Sequence, residues 1–342
     1  MKKTYAVVSA LVLSYGVSNA QEFNKVASTA AQFLKIETGA RAQALGGSYA
    51  ALANDPYALY WNVAGIAKMD RIGVAFSYSN WIADYNHYFA GVVLPVGQLG
   101  NIGFSVLSLT SDSFEQTTIE QPRGTGVIVN ASDIAIGVSY AKNMFHLVSV
   151  GITAKYIQQN LWDVSAETVA LDIGLQLDTG FNGIKVGMSL KNFGPEMTLG
   201  GRNLIRGLDQ NPQNNSNPLV QTSLETASWP LPTSYNASIA MEIVGGESSL
   251  VGVDNPNNLI VAVDISHPND NPEHYSVGAE YSFNNIFFGR IGYKGRTDEQ
   301  GLTFGAGLLL PLGKKKELHL DYAHSDFGTF DSVEQFSFYI TF

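Results

Sequence analysis

Residues 274–283 read HYSVGAEYSF. Tyr275, Val277, Ala279, Tyr281 and Phe283 take alternate positions, and His274, Ser276, Gly278, Glu280 and Ser282 fill the gaps. An extended chain sends successive side chains to opposite faces. This decapeptide therefore has one apolar, aromatic face and one small or charged face. A strand of a soluble sandwich alternates too. What separates the possibilities is how often the pattern recurs and how its copies are spaced.

The period-two signal returns from residue 71 to the end of the chain. It predicts strands at 71–80, 86–95, 99–109, 132–143, 146–158, 167–179, 183–192, 233–244, 258–267, 274–284, 286–294, 301–311, 315–324 and 333–342. That is an even number of segments. Each is near the roughly 9–11 residues that a tilted strand needs to cross a bilayer. The pattern points to an all-β protein, a 14-stranded antiparallel transmembrane barrel.

The connections alternate as well. Turns after the second, fourth, sixth, tenth and twelfth strands are short, whereas 110–131 and 193–232 are long. Those after the fifth, eleventh and thirteenth are intermediate, and 245–257 is longer than its class predicts. Short turns on one rim and longer loops on the other is the outer-membrane pattern, with the short turns periplasmic. An even strand number puts both barrel ends on that rim. Segment 86–95 is ambiguous: Tyr88, Ala90, Val92 and Leu94 suit lipid, yet Phe89 and Val93 make the other face apolar too. The last strand ends on Phe342, and such a terminal aromatic resembles the signal by which outer-membrane barrels are assembled.

This register sends Lys155, Asp172, Lys185, Lys191, Glu242, Asp264, Glu280, Arg290, Glu317, His319 and Asp321 to the lumen. An Arg or Lys on the lipid face at mid-depth would cost roughly 2–4 kcal/mol. Inside, the same groups can pair with one another or with water.

Composition agrees. Only 15% of residues are charged, against about 25% in ordinary domains, with 34 Gly, 16 Tyr, 18 Phe and no Cys. A mean hydropathy of +0.02 excludes a bundle of transmembrane helices. Lys2-Lys3, the apolar run Ala6 to Val17 and the small residues of Ser18-Asn19-Ala20 form a secretory signal cleaved before Gln21. A membrane anchor is the alternative, for which the run is short. The expected organisation is a signal peptide at 1–20, an N-terminal plug at 21–70 with short helical pieces, and the barrel at 71–342. No thiol follows the cleavage site for lipid attachment, and no disulfide framework exists. Cleavage removes Lys2 and Lys3 from a chain whose net charge is already −10, which argues against nucleic acid as a partner. No cofactor or metal is expected: Cys is absent, His is not clustered, and the Gly200-Gly201 to Gly207 run has no strand–helix context.

Residues 33–68 read FLKIETGARAQALGGSYAALANDPYALYWNVAGIAK. The stretch is too apolar for a linker and too broken for a span. Its Ala and Gly permit close backbone approach in a confined lumen, and Ser48, Asn54 and Asp55 suit the caps of short helical pieces. Arg41 is the only cation between Lys35 and Lys68. It either pairs with a lumen carboxylate or points to water.

The run resembles the N-terminal signature of the PorV/PorQ family, a branch of outer-membrane barrels related to the fatty-acid transporter FadL. The matching positions are Gly39, Ala40, Arg41, Ala42, Ala44, Leu45, Gly46 and Gly47, then Asn54 and Asp55, then Trp61, Asn62, Ala64 and Gly65. Further likeness lies in Gln121 to Gly126, Val138 to Ala141 and His267 to Asn271. One position departs: the family's Pro after Trp-Asn is Val63 here. The resemblance implies a FadL-like barrel whose plug folds on the periplasmic side. It implies a bacterial outer-membrane component of the type IX secretion system, PorV-like, that binds the C-terminal signal domain of cargo. Its implied partners are outer-membrane lipid, a large translocon barrel and a surface sortase. The long loops would carry those contacts, with Gln121, Arg123, Arg202 and Arg206 as candidates; a loop with no partner is the alternative.

A FadL-type channel for hydrophobic small molecules is the competing reading. An enzyme acting on lipopolysaccharide is a third, with Glu317, His319 and Asp321 on one strand face and His324 beside Ser325 as the thin candidates. Positions i and i+2 share a face in any strand, so the trio has a structural explanation, and no enzymatic activity is expected.

Overall fold

The alternation of residues 71–342 is realised as one closed sheet. The computed structural model describes residues 26, 28–145, 147–210, 213, 218–246, 248–252, 256–297, 300–313 and 315–342. The expected signal peptide at 1–20 lies outside them. Among the described residues the wall consists of β1 (Gly73–Trp81), β2 (Tyr85–Pro95), β3 (Asn101–Ser111), β4 (Ala131–Met144), β5 (Val148–Leu161), β6 (Val164–Asp178) and β7 (Ile184–Phe193). It continues with β8 (Ser234–Gly245), β9 (Asn258–Pro268), β10 (His274–Phe283), β11 (Phe287–Gly295), β12 (Leu302–Pro311), β13 (Glu317–Asp326) and β14 (Ser332–Thr341). Each strand pairs antiparallel with its sequence neighbours, and β1 pairs with β14, Ala75 opposite Tyr339. Closure removes the unpaired edges that would template aggregation.

All the expected strands are present, with ends displaced by a few residues. One connection differs in kind. β5 and β6 continue to a two-residue turn, Trp162 and Asp163, where an intermediate loop was expected. The polar run Gln158-Gln159-Asn160 hides this extension from hydropathy, although its backbone stays in the ladder, Asn160 opposite Ser165.

The two faces are as the alternation predicts. On β10, Ser276, Glu280 and Ser282 are buried while Tyr275, Val277, Tyr281 and Phe283 are exposed. The same division holds on β14, where Gln335, Ser337 and Tyr339 are buried and Phe336 and Phe338 exposed. A continuous apolar exterior of this kind is at home in lipid. Among the described residues no helix is long and apolar enough to cross a membrane.

The ambiguity of 86–95 is resolved by what fills the barrel. Phe89 and Val93 point inward and are buried. Phe89 meets Tyr57 with ring centroids 5.6 Å apart. The lumen is occupied by residues 28–70, which carry four short helical pieces, Gln32–Lys35, Ala40–Ala44, Ala58–Trp61 and Val63–Lys68. This wall is apolar inside because the segment against it is apolar.

The segment runs the full height of the lumen, rather than lying on the short-turn side. At the long-loop rim the Ala30 amide donates to Pro230 O (2.9 Å) and the Ala31 amide to Gln159 Oε1 (2.8 Å). At the short-turn rim Asn101 Nδ2 donates to Met69 O (2.7 Å), and Lys68 pairs with Asp178 (2.8 Å). The ends of the barrel itself do meet at the short-turn rim, where the Phe342 amide donates to Ile72 O (2.9 Å).

Candidate functional site

The plug is held by a chain of alternating charges through the middle of the barrel. Arg41 grips Glu280 of β10 with two hydrogen bonds, Nε to Oε2 and Nη2 to Oε1, both 2.8 Å. On its other side it faces Asp55 at 3.6 Å. Glu280 also accepts from Arg290 Nε of β11 at 2.5 Å, and Arg290 Nη1 reaches Asp321 of β13 at 2.5 Å. The order is Asp55, Arg41, Glu280, Arg290, Asp321. Removing such charges from water costs several kcal/mol each, so each must be matched: Arg41, Glu280 and Arg290 each face two opposite charges, Asp55 faces Arg41 and two further donors, and Asp321 faces Arg290. Asp55 accepts from the Tyr49 hydroxyl and, at 2.9 Å, from the Tyr57 amide.

The signature residues have local reasons. Gly46 and Gly47 turn the chain with φ of 66° and 86°, conformations that L side chains resist. A Cβ on Gly65 would stand 2.1 Å from Ala53 O. Trp61 is buried against Tyr49 and Tyr60 and donates Nε1 to Thr38 O at 2.8 Å. Asn62 caps the turn Val63–Lys68, its Oδ1 accepting from the Ala64 amide, while Nδ2 donates to Ala50 O and to Leu175 O of β6. Val63 opens that turn at a position where Pro is favoured in helices but not needed, so the departure from the family pattern leaves the cap intact. Gly39 precedes Ala40–Ala44 with φ 84°, Leu45 is fully buried, and Asn54 accepts from Arg41 at 3.3 Å.

The wall residues expected in the lumen face it. Asp172 pairs with Lys155 at 2.5 Å and accepts from the Asn192 amide at 2.8 Å. Asn192 has φ 59° beside a register shift between β6 and β7, so the carboxylate satisfies the amide that a bulge leaves over. Lys191 lies over the Tyr60 ring at 4.4 Å. Asp264 is buried beside Ser276 and Lys294. Lys185 stands opposite Asp178 near the short-turn rim. Glu317 pairs with Arg71 at 2.9 Å, and His319 stacks on Tyr339 at 4.0 Å. Glu317, His319 and Asp321 thus each hold a separate structural partner and do not converge. Gln121, Arg123, Arg202 and Arg206 are exposed on the long loops; those loops carry small hairpins, Phe114–Glu115 with Ile128–Val129 and Ile205–Leu208 with Val220–Ser223.

Two features escaped sequence reasoning. Asp270, in the turn between β9 and β10, takes Thr29 Oγ1 (2.7 Å), Gln32 Nε2 (2.8 Å) and Lys35 Nζ (3.0 Å) from the start of the plug. The second is a set of inward glycines beneath the plug backbone. A Cβ on Gly187 would lie 2.4 Å from Ala50 O, on Gly278 2.6 Å from Leu45 O, and on Gly292 2.2 Å from the Gly46 amide. Their signal was available as glycine at inward positions of the alternation.

What remains of the lumen is small. A cavity of about 270 Å³ near the short-turn rim is lined by Arg41, Asp55, Arg290, Glu317, His319 and Tyr339 among others. An apolar one of about 20 Å³ lies between Leu34, Leu59, Phe89 and Leu107, next to Lys155.

Fold and interior together define a transmembrane β-barrel closed by its own N-terminal segment. The chain belongs to the uncharacterised protein family UPF0164, whose model matches residues 2–203, from the N-terminal region through β7. No curated protein matches it. Among solved structures it is similar to the CymD monoaromatic hydrocarbon channel (TM-score 0.54, 12% identity, 89% of this chain and 96% of that one). It is similar also to the Pseudomonas putida toluene transporter TodX (0.54, 12%, 89% and 97%). The Ralstonia pickettii toluene transporter TbuX gives 0.52 and 13%, over 89% and 97%. At these identities the likeness is one of fold.

Proposed function

We propose that this protein is a bacterial outer-membrane barrel of PorV-like type, a component of type IX secretion that binds the C-terminal signal domain of cargo on its surface loops. In this reading it performs no chemistry and associates with a large translocon barrel and a sortase. The observation that carries it is the state of the lumen. The plug is tied to the wall from rim to rim by Asp270, Glu280, Asn101 and Asp178, and it rests on glycines that admit nothing larger. With the interior occupied, the surface free for a macromolecule is the pair of long loops. The PorV/PorQ signature in residues 33–65 supports the same reading, and the outward apolar face fits lipid.

The test is co-purification from detergent-solubilised outer membranes with the tagged protein. Cargo C-terminal domains or a large translocon barrel are expected in the eluate. Recovery of neither, with a hydrophobic small molecule in the purified barrel, favours the second reading, a channel for such molecules. That reading has its own observation: a fold shared with toluene transporters.

A further inference from the structure

The plug's direction through the barrel has a topological consequence. β1 starts at the short-turn rim, where Ile72 meets Phe342, and the turns that join β2 to β3 and β12 to β13 lie on that rim. Going backwards from β1, Met69 and Lys68 are still there, bound to Asn101 and Asp178. Ala44 and Arg41 lie further along, against Thr303, Glu280 and Ser337 through the Ala40 amide. Glu37 then contacts Lys294, near the end of β11 that leads into the loop-side turn. Residues 29–35 sit at the long-loop rim itself. Their partners are Asp270 in the β9–β10 turn, Pro230 in the β7–β8 loop and Gln159 near the β5–β6 turn. Three different loop-side connections hold one short piece of chain, and Val26 ahead of it is 53% exposed.

We infer that the start of the lumen segment, Val26 and Ser28 to Lys35, lies at the rim that carries the long loops, clasped there by Asp270, and that its exposed positions Val26 and Gln32 add a third element to the loop-side surface. The chain enters its own barrel from the loop side and leaves it on the turn side to begin β1. If the partner-binding reading above holds, a cargo domain docking on the loops meets this clasp as well; the topology itself does not depend on that reading.

The absence of Cys makes the test direct. Three single-cysteine variants, Val26→Cys, Ile119→Cys in the β3–β4 loop and Leu99→Cys in the β2–β3 turn, all alter exposed positions. They are treated with a membrane-impermeant maleimide on intact cells and again after lysis, and folding is verified by the heat-induced gel shift. The expected result is that Val26→Cys labels with Ile119→Cys and opposite to Leu99→Cys. Val26→Cys labelling with Leu99→Cys overturns the inference. Whether Ile119→Cys is the variant labelled on intact cells tests a separate matter, the orientation of the barrel in the outer membrane. If Ile119→Cys and Val26→Cys both require lysis while Leu99→Cys does not, the orientation is wrong and the shared face stands.

Discussion

Arg41 and Glu280 are 239 positions apart in sequence and share two parallel hydrogen bonds of 2.8 Å in the centre of the barrel. Arg41 belongs to the plug and Glu280 to the wall, so this fork ties the two together directly at mid-height. Glu280 is also the only member of the charge chain described here that sits between two guanidiniums.

That position ranks the substitutions. Glu280→Gln takes one carboxylate from both Arg41 and Arg290, leaving each with a single one, Asp55 and Asp321 respectively, and removing one partner of a buried pair costs about 3–5 kcal/mol. Arg41→Gln leaves Glu280 with Arg290 and should cost less. The double variant Arg41→Gln/Glu280→Gln should fall short of the sum, as expected for groups in one network. The temperature midpoint of the heat-induced gel shift reads all three; strict additivity would mean that the chain of charges is not coupled.

The inward glycines separate steric from intrinsic effects. Gly187→Ala and Gly292→Ala place a methyl against plug backbone, which cannot swing away. Gly289→Ala, on the outer face with nothing within 4 Å, should be tolerated. The first two should expose Lys35 to trypsin in the folded barrel and the third should not. Equal protection in all three would show that the plug shifts freely.

Acid should loosen the clasp. Burial by itself would raise the Asp270 carboxyl, but hydrogen bonds from Gln32, Thr29 and Lys35 more than reverse that and hold it below the ordinary value. A depressed carboxylate contributes stability that is fully present above its unfolded pKa of about 3.9 and is lost as pH falls through the lower folded value. A nitroxide on Val26→Cys should therefore stay ordered at neutral pH and become mobile only in strong acid. Asp270→Asn should make it mobile throughout.

The outward register predicts a penalty that depends on face. Val277→Lys puts an ammonium on the apolar exterior near the middle of β10, at a cost of roughly 2–4 kcal/mol. Refolding yield into vesicles should drop accordingly, and a neutral outcome would place Val277 away from lipid.

Deleting residues 205–223 should leave a heat-modifiable barrel, since among the described residues the strands Ile205–Leu208 and Val220–Ser223 pair with each other and not with the wall. Cargo binding should fall in the same co-purification assay. Undiminished binding would move the contact to the other long loop.

Much of the architecture is legible because closed barrels make alternation carry two facts at once, the existence of a strand and the face of each side chain. Glu280, Arg290 and Asp321 are assigned inward from that alone. Who pairs with whom is not: Arg41 had every lumen carboxylate or water as a possible partner until the strands were wrapped around it. A bulge adds one residue to a strand, which alternation cannot register, so the joint role of Asp172 and Asn192 stays hidden. Asp270 lies in a turn without periodicity, and its partners are 235 to 241 residues away. The apolar inner face of β2 misleads for an instructive reason: the alternation rule presumes water inside, and here the inside is protein.

Gly187, Gly278 and Gly292 are seats for Ala50, Leu45 and Gly46. Such seats make the wall a cast of one particular backbone trace. A plug borrowed from a relative would have to bring its own pattern of inward glycines with it, and the two parts would have to be exchanged as a matched set. In a lineage of such barrels, the inner wall and residues 28–70 should therefore change together, while the loops outside remain free to change alone.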